Sequence, residues 1–220
     1  TSTRTLFYGD VNIEPTSGAA GLWLKSTNSH ANIRLINNNG ATNTIDEWKI
    51  QSNTDHNLKF YNANVEKVEF SPDGLVTGVF LETFSHNFSD DLGTSEVYIP
   101  WGTDTETSHM NYFSTAYLTP FTMELVKVLV RPESIVNPFY TLEIKIKAQG
   151  NNSQTVSTIA TANAGTLASN SMNTTLASAF NTTPSCPAGR KIGMSFKTSG
   201  DVSGATDWWV TSVWKVTKTI

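Results

Sequence analysis

Apolar and polar positions alternate with period two over much of this chain. Tyr140, Leu142, Ile144, Ile146 and Ala148 interleave with Thr141, Glu143, Lys145 and Lys147, which predicts a strand with one dry and one wet face. Ile192, Met194 and Phe196 alternate in the same way, and Trp208, Val210, Trp214 and Val216 share a face interrupted by Ser212. Phe121 to Val130 is an almost unbroken β-former run between Pro120 and Pro132, and such a run predicts a strand covered on both faces. Ahead of it, Val97-Tyr98-Ile99 forms a short apolar piece that stops at Pro100-Trp101-Gly102. Between Ser153 and Ser185 the residues are mostly Thr, Ser, Ala and Asn, yet Val156, Ile159, Leu167, Met172, Leu176 and Phe180 recur. Short strands and one helical turn near Leu176 to Phe180 are expected there in place of a disordered linker. With no long helix predicted, the strands from about residue 80 onward read as an antiparallel two-sheet sandwich.

The front of the chain carries a repeat. At an offset of twenty-five residues Trp23 aligns with Trp48, Asn28 with Asn53, Asn32 with Asn57, Asn37 with Asn62 and Asn39 with Asn64, and Ile33-Arg34-Leu35 matches Leu58-Lys59-Phe60. Each unit reads as a hairpin with a strand begun by the Trp, a turn built on Asn and an alternating return strand. Two such hairpins cannot close a core alone. Their apolar side, with Trp23, Leu35, Trp48 and Phe60, is expected to lie against identical copies or against the domain that follows. Val65 to Phe70 gives one more strand, ended by Ser71-Pro72-Asp73-Gly74, where Pro presets φ and Gly accepts positive φ. The expected division is an N-terminal arm over 1–20, a hairpin-repeat region over 21–78 and the sandwich over 79–220. The arm either docks on a neighbour or frays.

Composition narrows the class. Charged residues make up 15% of the 220, against about 25% in ordinary soluble domains, and Asn, Thr and Ser supply the polarity. This mix suits β proteins of fibrous, extracellular or virion type. A net charge of −4 without a Lys/Arg cluster argues against a nucleic-acid partner. No stretch approaches the roughly 18 apolar residues of a membrane span, so no membrane partner is expected. The single cysteine, Cys186, allows no intrachain disulfide and no cysteine-rich zinc site.

The sequence resembles virion appendage proteins of tailed phages, of the tail-fibre, head-fibre and capsid-decoration types. Trp48-Lys49-Ile50 through Leu58-Lys59-Phe60-Tyr61-Asn62 to Ser71-Pro72-Asp73-Gly74-Leu75 looks like fibre-shaft repeats. Tyr98-Ile99-Pro100-Trp101, Tyr117-Leu118-Thr119-Pro120-Phe121 and Leu125-Val126-Lys127-Val128 are similar to the opening strands of jelly-roll knobs on such proteins. The resemblance implies an all-β chain, N-terminal hairpin repeats followed by an antiparallel jelly-roll-like sandwich, acting as a homotrimeric, non-enzymatic component on the virion surface. Its partners would be its own copies and other capsid or tail proteins.

Candidate chemistry is sparse. Glycoside hydrolysis needs two carboxyl groups about 5 to 9.5 Å apart, and Asp90, Asp91, Asp104 and Glu106 all fall in loops, where acids are ordinarily solvated or cap turns. Calcium could use the same acids, but neither a metal site nor any cofactor is expected. His30, His56, His86 and His109 read as surface residues. The aromatics Trp101, Tyr112, Phe113 and Tyr117 share one loop-rich segment. Flat rings in loops stack on sugars or anchor partners, which gives the alternative function, a lectin-like tip binding a host surface glycan; otherwise the rings plug the end of the sandwich or the trimer axis. Trp208, Trp209 and Trp214 are expected in a core or interface.

Overall fold

The computed structural model describes residues 31–37, 46–52, 56–63, 65–89, 91–110, 114–134, 140–150, 155–202 and 207–218, with the side chains of 34–37 and 46–47 outside that description. The expected arm of residues 1–20 lies outside the described residues. The chain divides into two compact units between Val76 and Thr77.

In the first unit β1 (Ala31–Asn37), β2 (Asp46–Ser52), β3 (Leu58–Asn62) and β4 (Val65–Phe70) form an antiparallel meander, each strand paired with the next. The register sorts the residues by face. Ile33, Ile50, Phe60 and Val68 lie in one row across the four strands, and Asn32, Gln51, Lys59 and Glu69 form a row of the opposite face. Beyond β4 the turn closes as its residues dictate: Gly74 takes φ +78 and its N–H donates to the Ser71 carbonyl at 3.0 Å.

The second unit is built from β5 (Val76–Ser85), β6 (Phe88–Ser89), β7 (Val97–Tyr98), β8 (Tyr117–Leu118), β9 (Thr122–Pro132), β10 (Thr141–Gln149), β11 (Val156–Thr166), β12 (Asn173–Leu176), β13 (Ser185–Cys186), β14 (Lys191–Thr198) and β15 (Asp207–Lys218). β6 continues β5 along β15, β7 and β8 share β14, and β12 and β13 share β9. Eight strand positions result, and their pairing is nested. The first pairs with the last, the second with the seventh, the third with the sixth and the fourth with the fifth. A long hairpin rolled up in this manner is the double-sheet jelly roll. One sheet runs β5–β15–β9–β12 and the other β11–β10–β14–β7. The chain is therefore all-β and antiparallel, and among the described residues the only helical piece is the 3-10 turn Ala177–Ala179.

The two sheets bury what the alternation presents. Leu142, Ile144 and Ile146 of β10 and Ile192, Met194 and Phe196 of β14 face Trp208, Val210, Trp214 and Val216 of β15 across a dry core. Each such side chain contributes about 1.5–3 kcal/mol by leaving water. β9 departs from expectation, because its buried residues are Met123 and Leu125, then Val128 and Val130. A register shift against β15, between Val213 and Trp214, slips the alternation at Val126. This bulge makes a strand with one buried face read in sequence as apolar on both. The Cys186 thiol is also fully buried, and burial raises its pKa.

Gly200, in the turn after β14, lies against the Tyr140 ring, and a Cβ there would fall 2.3 Å from Cε1. Gly200→Ala is expected to lower the stability measured by denaturant unfolding by about 1–3 kcal/mol. Most of that loss should vanish in a Tyr140→Ala background, the coupling expected of residues in contact.

Candidate functional site

The exposed apolar residues described in the strands of the first unit lie on one face of its sheet. Ile33, Trp48, Leu58, Val65 and Phe70 are exposed on it, Trp48 by 49% and Val65 by 55%. Ile50, Phe60 and Val68 are only half-buried between them. Phe60 and Phe70 meet edge to face with centroids 5.9 Å apart. Among the described residues of this unit no apolar side chain is buried. The opposite face is finished for water, with Lys59 bonded to Glu66 at 3.0 Å and to Glu69 at 3.3 Å, and the Lys49 ammonium 4.1 Å from the Tyr61 ring centroid. A contiguous apolar patch rimmed by charge marks an interaction surface. Of the expected interface residues, Trp48 and Phe60 lie on this face. Leu35 sits opposite Trp48 in the register, with its side chain outside the description, and Trp23 lies outside the described residues.

The aromatic loop behaves differently. Trp101, for which both an open ring and a plug were expected, is 7% exposed and so takes the second course. Its ring stacks on Tyr117 at 5.6 Å, tilts against Phe84 at 5.4 Å and Trp214 at 6.1 Å, and meets His86 edge-on at 4.6 Å. The loop is pinned by backbone bonds from Ile99 N–H to the Met194 carbonyl and from Trp101 N–H to the Ser114 carbonyl. That anchorage turns the indole inward, so it offers no open stacking face. Tyr117 is half-buried beside it on β8, and Tyr112 and Phe113 lie outside the described residues.

His86 corrects a second expectation, for it is fully buried. Its Nδ1 lies 2.8 Å from the Pro100 carbonyl and its Nε2 2.7 Å from Ser212 Oγ, while Trp214 Nε1–H donates to the same hydroxyl at 2.8 Å. The carbonyl can only accept, so Nδ1 carries the proton of a neutral ring, and Nε2 accepts from Ser212. This explains the lone hydroxyl in the apolar stripe of β15. Burial pulls the His86 pKa down from 6.5 to about 4, opposed in part by the Pro100 bond. Of the other histidines, His56 and His109 are exposed and His30 lies outside the described residues.

The second feature that alternation missed is Glu96, before β7. Its carboxylate accepts from Lys147 at 2.6 Å, from Lys145 at 3.0 Å and from Ser195 Oγ at 3.0 Å. Partial burial works against the charged form, but the bonds from Lys147 and Lys145 outweigh it and hold the pKa at about 2. Lys147, on the face expected to be wet, is only 8% exposed.

None of the described acids singled out for hydrolysis or calcium is buried. Asp91 and Asp104 are exposed, Glu106 is half-buried and Asp90 lies outside the described residues. Among the described residues no three His, Cys, Asp or Glu side chains cluster as metal ligands.

No protein-family model matches the chain, and no curated protein matches it. Among solved structures it is similar to the T13 particle of infectious bursal disease virus, with 12% identity over 78% of this chain and 40% of that one at a TM-score of 0.39. The Gx strain of that virus gives 9% identity over 86% and 51% at 0.39, and its VP2 subviral particle 13% over 86% and 52% at 0.39. The chain thus spans about half the length of these structures or less. Likeness at this level carries no weight here, and the jelly roll rests on its own strand pairing. That architecture serves viral capsid and lectin domains alike.

The titrations of His86 and Glu96 set a pH response. An unfolded chain takes a proton on His86 near 6.5, the folded one only near 4. Stability is therefore full above 6.5 and falls as pH drops toward 4, by on the order of 3 kcal/mol. Glu96 contributes above 4.5 and loses its contribution between 4.5 and 2. Urea midpoints measured from pH 7 to 3 should decline in two stages, and His86→Gln should flatten the first stage and leave the second.

Proposed function

We propose that this chain is a non-enzymatic structural protein of a virus particle, carried on the virion surface and attached through its N-terminal sheet. In finer form it is a homotrimeric appendage of a tailed phage, a fibre or capsid-decoration component, in which the hairpin repeats of three copies wind about one axis and the jelly roll projects. The observation that carries this reading is the uncovered apolar face of β1 to β4. A sheet with one apolar face needs a cover, and the first unit has no buried apolar side chain of its own among its described residues. The low charge of the chain and the ion pairs on the opposite face of the sheet support the same reading. The glycan-binding alternative drew its motive from open rings in the Trp101 loop. With that indole interior, no observation favours it.

Sedimentation equilibrium on the full chain at micromolar concentration should give three times the chain mass. Trp48→Glu, which places a charge on the face without touching the jelly-roll core, should shift that mass toward the monomer while thermal unfolding of the second unit persists. A clean monomer for the unaltered chain would overturn the reading.

A further inference from the structure

The jelly roll has a long free edge. β11 ends its sheet and pairs only with β10 among the described residues. Its eleven residues, VSTIATANAGT, contain neither charge nor proline, the two devices that commonly keep an edge from templating another strand. Left open, its outward N–H and C=O groups would match those of β11 in a second copy.

Several of those groups are occupied instead by Asn173 of β12 and by residues of the segment that follows it. Asn181 makes a reciprocal pair with Thr161: its backbone N–H donates to the Thr161 carbonyl at 2.9 Å, and its Oδ1 accepts from the Thr161 N–H at 2.8 Å. Both groups of Thr161 are filled as a paired strand would fill them. One position along, the Thr182 hydroxyl donates to the Ile159 carbonyl at 2.6 Å. Ile159 is the residue left over where β11 slips register against Ile146 and Lys147. At the other end Asn173 Nδ2 donates to the carbonyls of Ala164 and Thr166, each at 3.2 Å. Phe180, buried in the core, fixes the segment beside the edge.

We propose that Asn173, Asn181 and Thr182 are an edge guard, whose side chains occupy the open edge of β11 and keep it from pairing with β11 of a second copy. The guard belongs to the second unit and does not depend on the oligomer proposed for the first. Its loss should add association on top of whatever mass the unaltered chain has.

The test is the full chain carrying Asn181→Ala with Thr182→Val. Amide exchange at Thr161 should quicken about tenfold, because its N–H loses its acceptor. Sedimentation velocity should show species heavier than those of the unaltered chain, growing with concentration. Adding Asn163→Lys, which puts a charge on the exposed edge opposite Glu143, should abolish them. Asn181→Asp keeps an acceptor for Thr161 and should behave as the unaltered chain. If circular dichroism shows the double variant unfolded, Asn173→Ala, which frees only two carbonyls, is read by the same sedimentation outcomes. Unchanged sedimentation, or new association that Asn163→Lys leaves in place, overturns the proposal.

Discussion

An antiparallel sheet with one apolar face must lay that face on something, and this requirement governs both units of the chain. In the jelly roll it is met internally. The nested pairing gathers Ile144, Ile146, Trp208 and Trp214 into one buried core between the two sheets. In the hairpin sheet the same alternation produces the same kind of face, from Ile33 across Ile50 and Phe60 to Val68, and no second sheet of that unit covers it among the described residues. Chemically alike strands therefore have different fates, decided by whether the fold supplies a cover.

The jelly roll has a further constraint at its sides. A sandwich of two sheets leaves seams where the outer strands of one sheet face those of the other. On one side His86 and Trp101 fill the seam, the imidazole joined to Pro100 and Ser212 and the indole wedged among Phe84, Tyr117 and Trp214. On the other, the segment from Asn173 to Thr182 crosses from β12 to β11. Each closure includes a polar side chain held by hydrogen bonds, His86 on one side and Asn181 on the other, and these do not stand out in a hydrophobic pattern.

Much of the architecture was legible in the sequence because period-two alternation is a local property. The strands at Leu142 to Ala148 and Trp208 to Val216 follow from it directly, as do the strand begun by Trp48, its return from Leu58 to Asn62 and the Ser71 to Gly74 turn. What failed or stayed open depended on partners remote in sequence. For Trp101 the local pattern leaves an open ring and a plug both readable, and the plug follows from the bonds of Ile99 to Met194 and of Trp101 to Ser114. His86 reads as a surface residue because its partner Ser212 lies 126 residues away. The one visible hint was the hydroxyl breaking an otherwise apolar stripe. The bulge at Val126 hid a change of phase inside a run that looked uniform. That Trp48 and Phe60 share a face of the sheet follows from the alternation within the repeat, whereas the edge bonds of Asn181 were not readable, since they require knowing which strand ends the sheet.

The lone thiol of Cys186 lies sealed in the interior, its ionisation suppressed by burial. The folded molecule therefore presents no native sulfhydryl to electrophilic reagents. A cysteine installed at a chosen exposed position would be the sole reactive handle for a maleimide dye, a spin label or a gold cluster, which makes the chain a convenient vehicle for measuring distances within whatever assembly it joins.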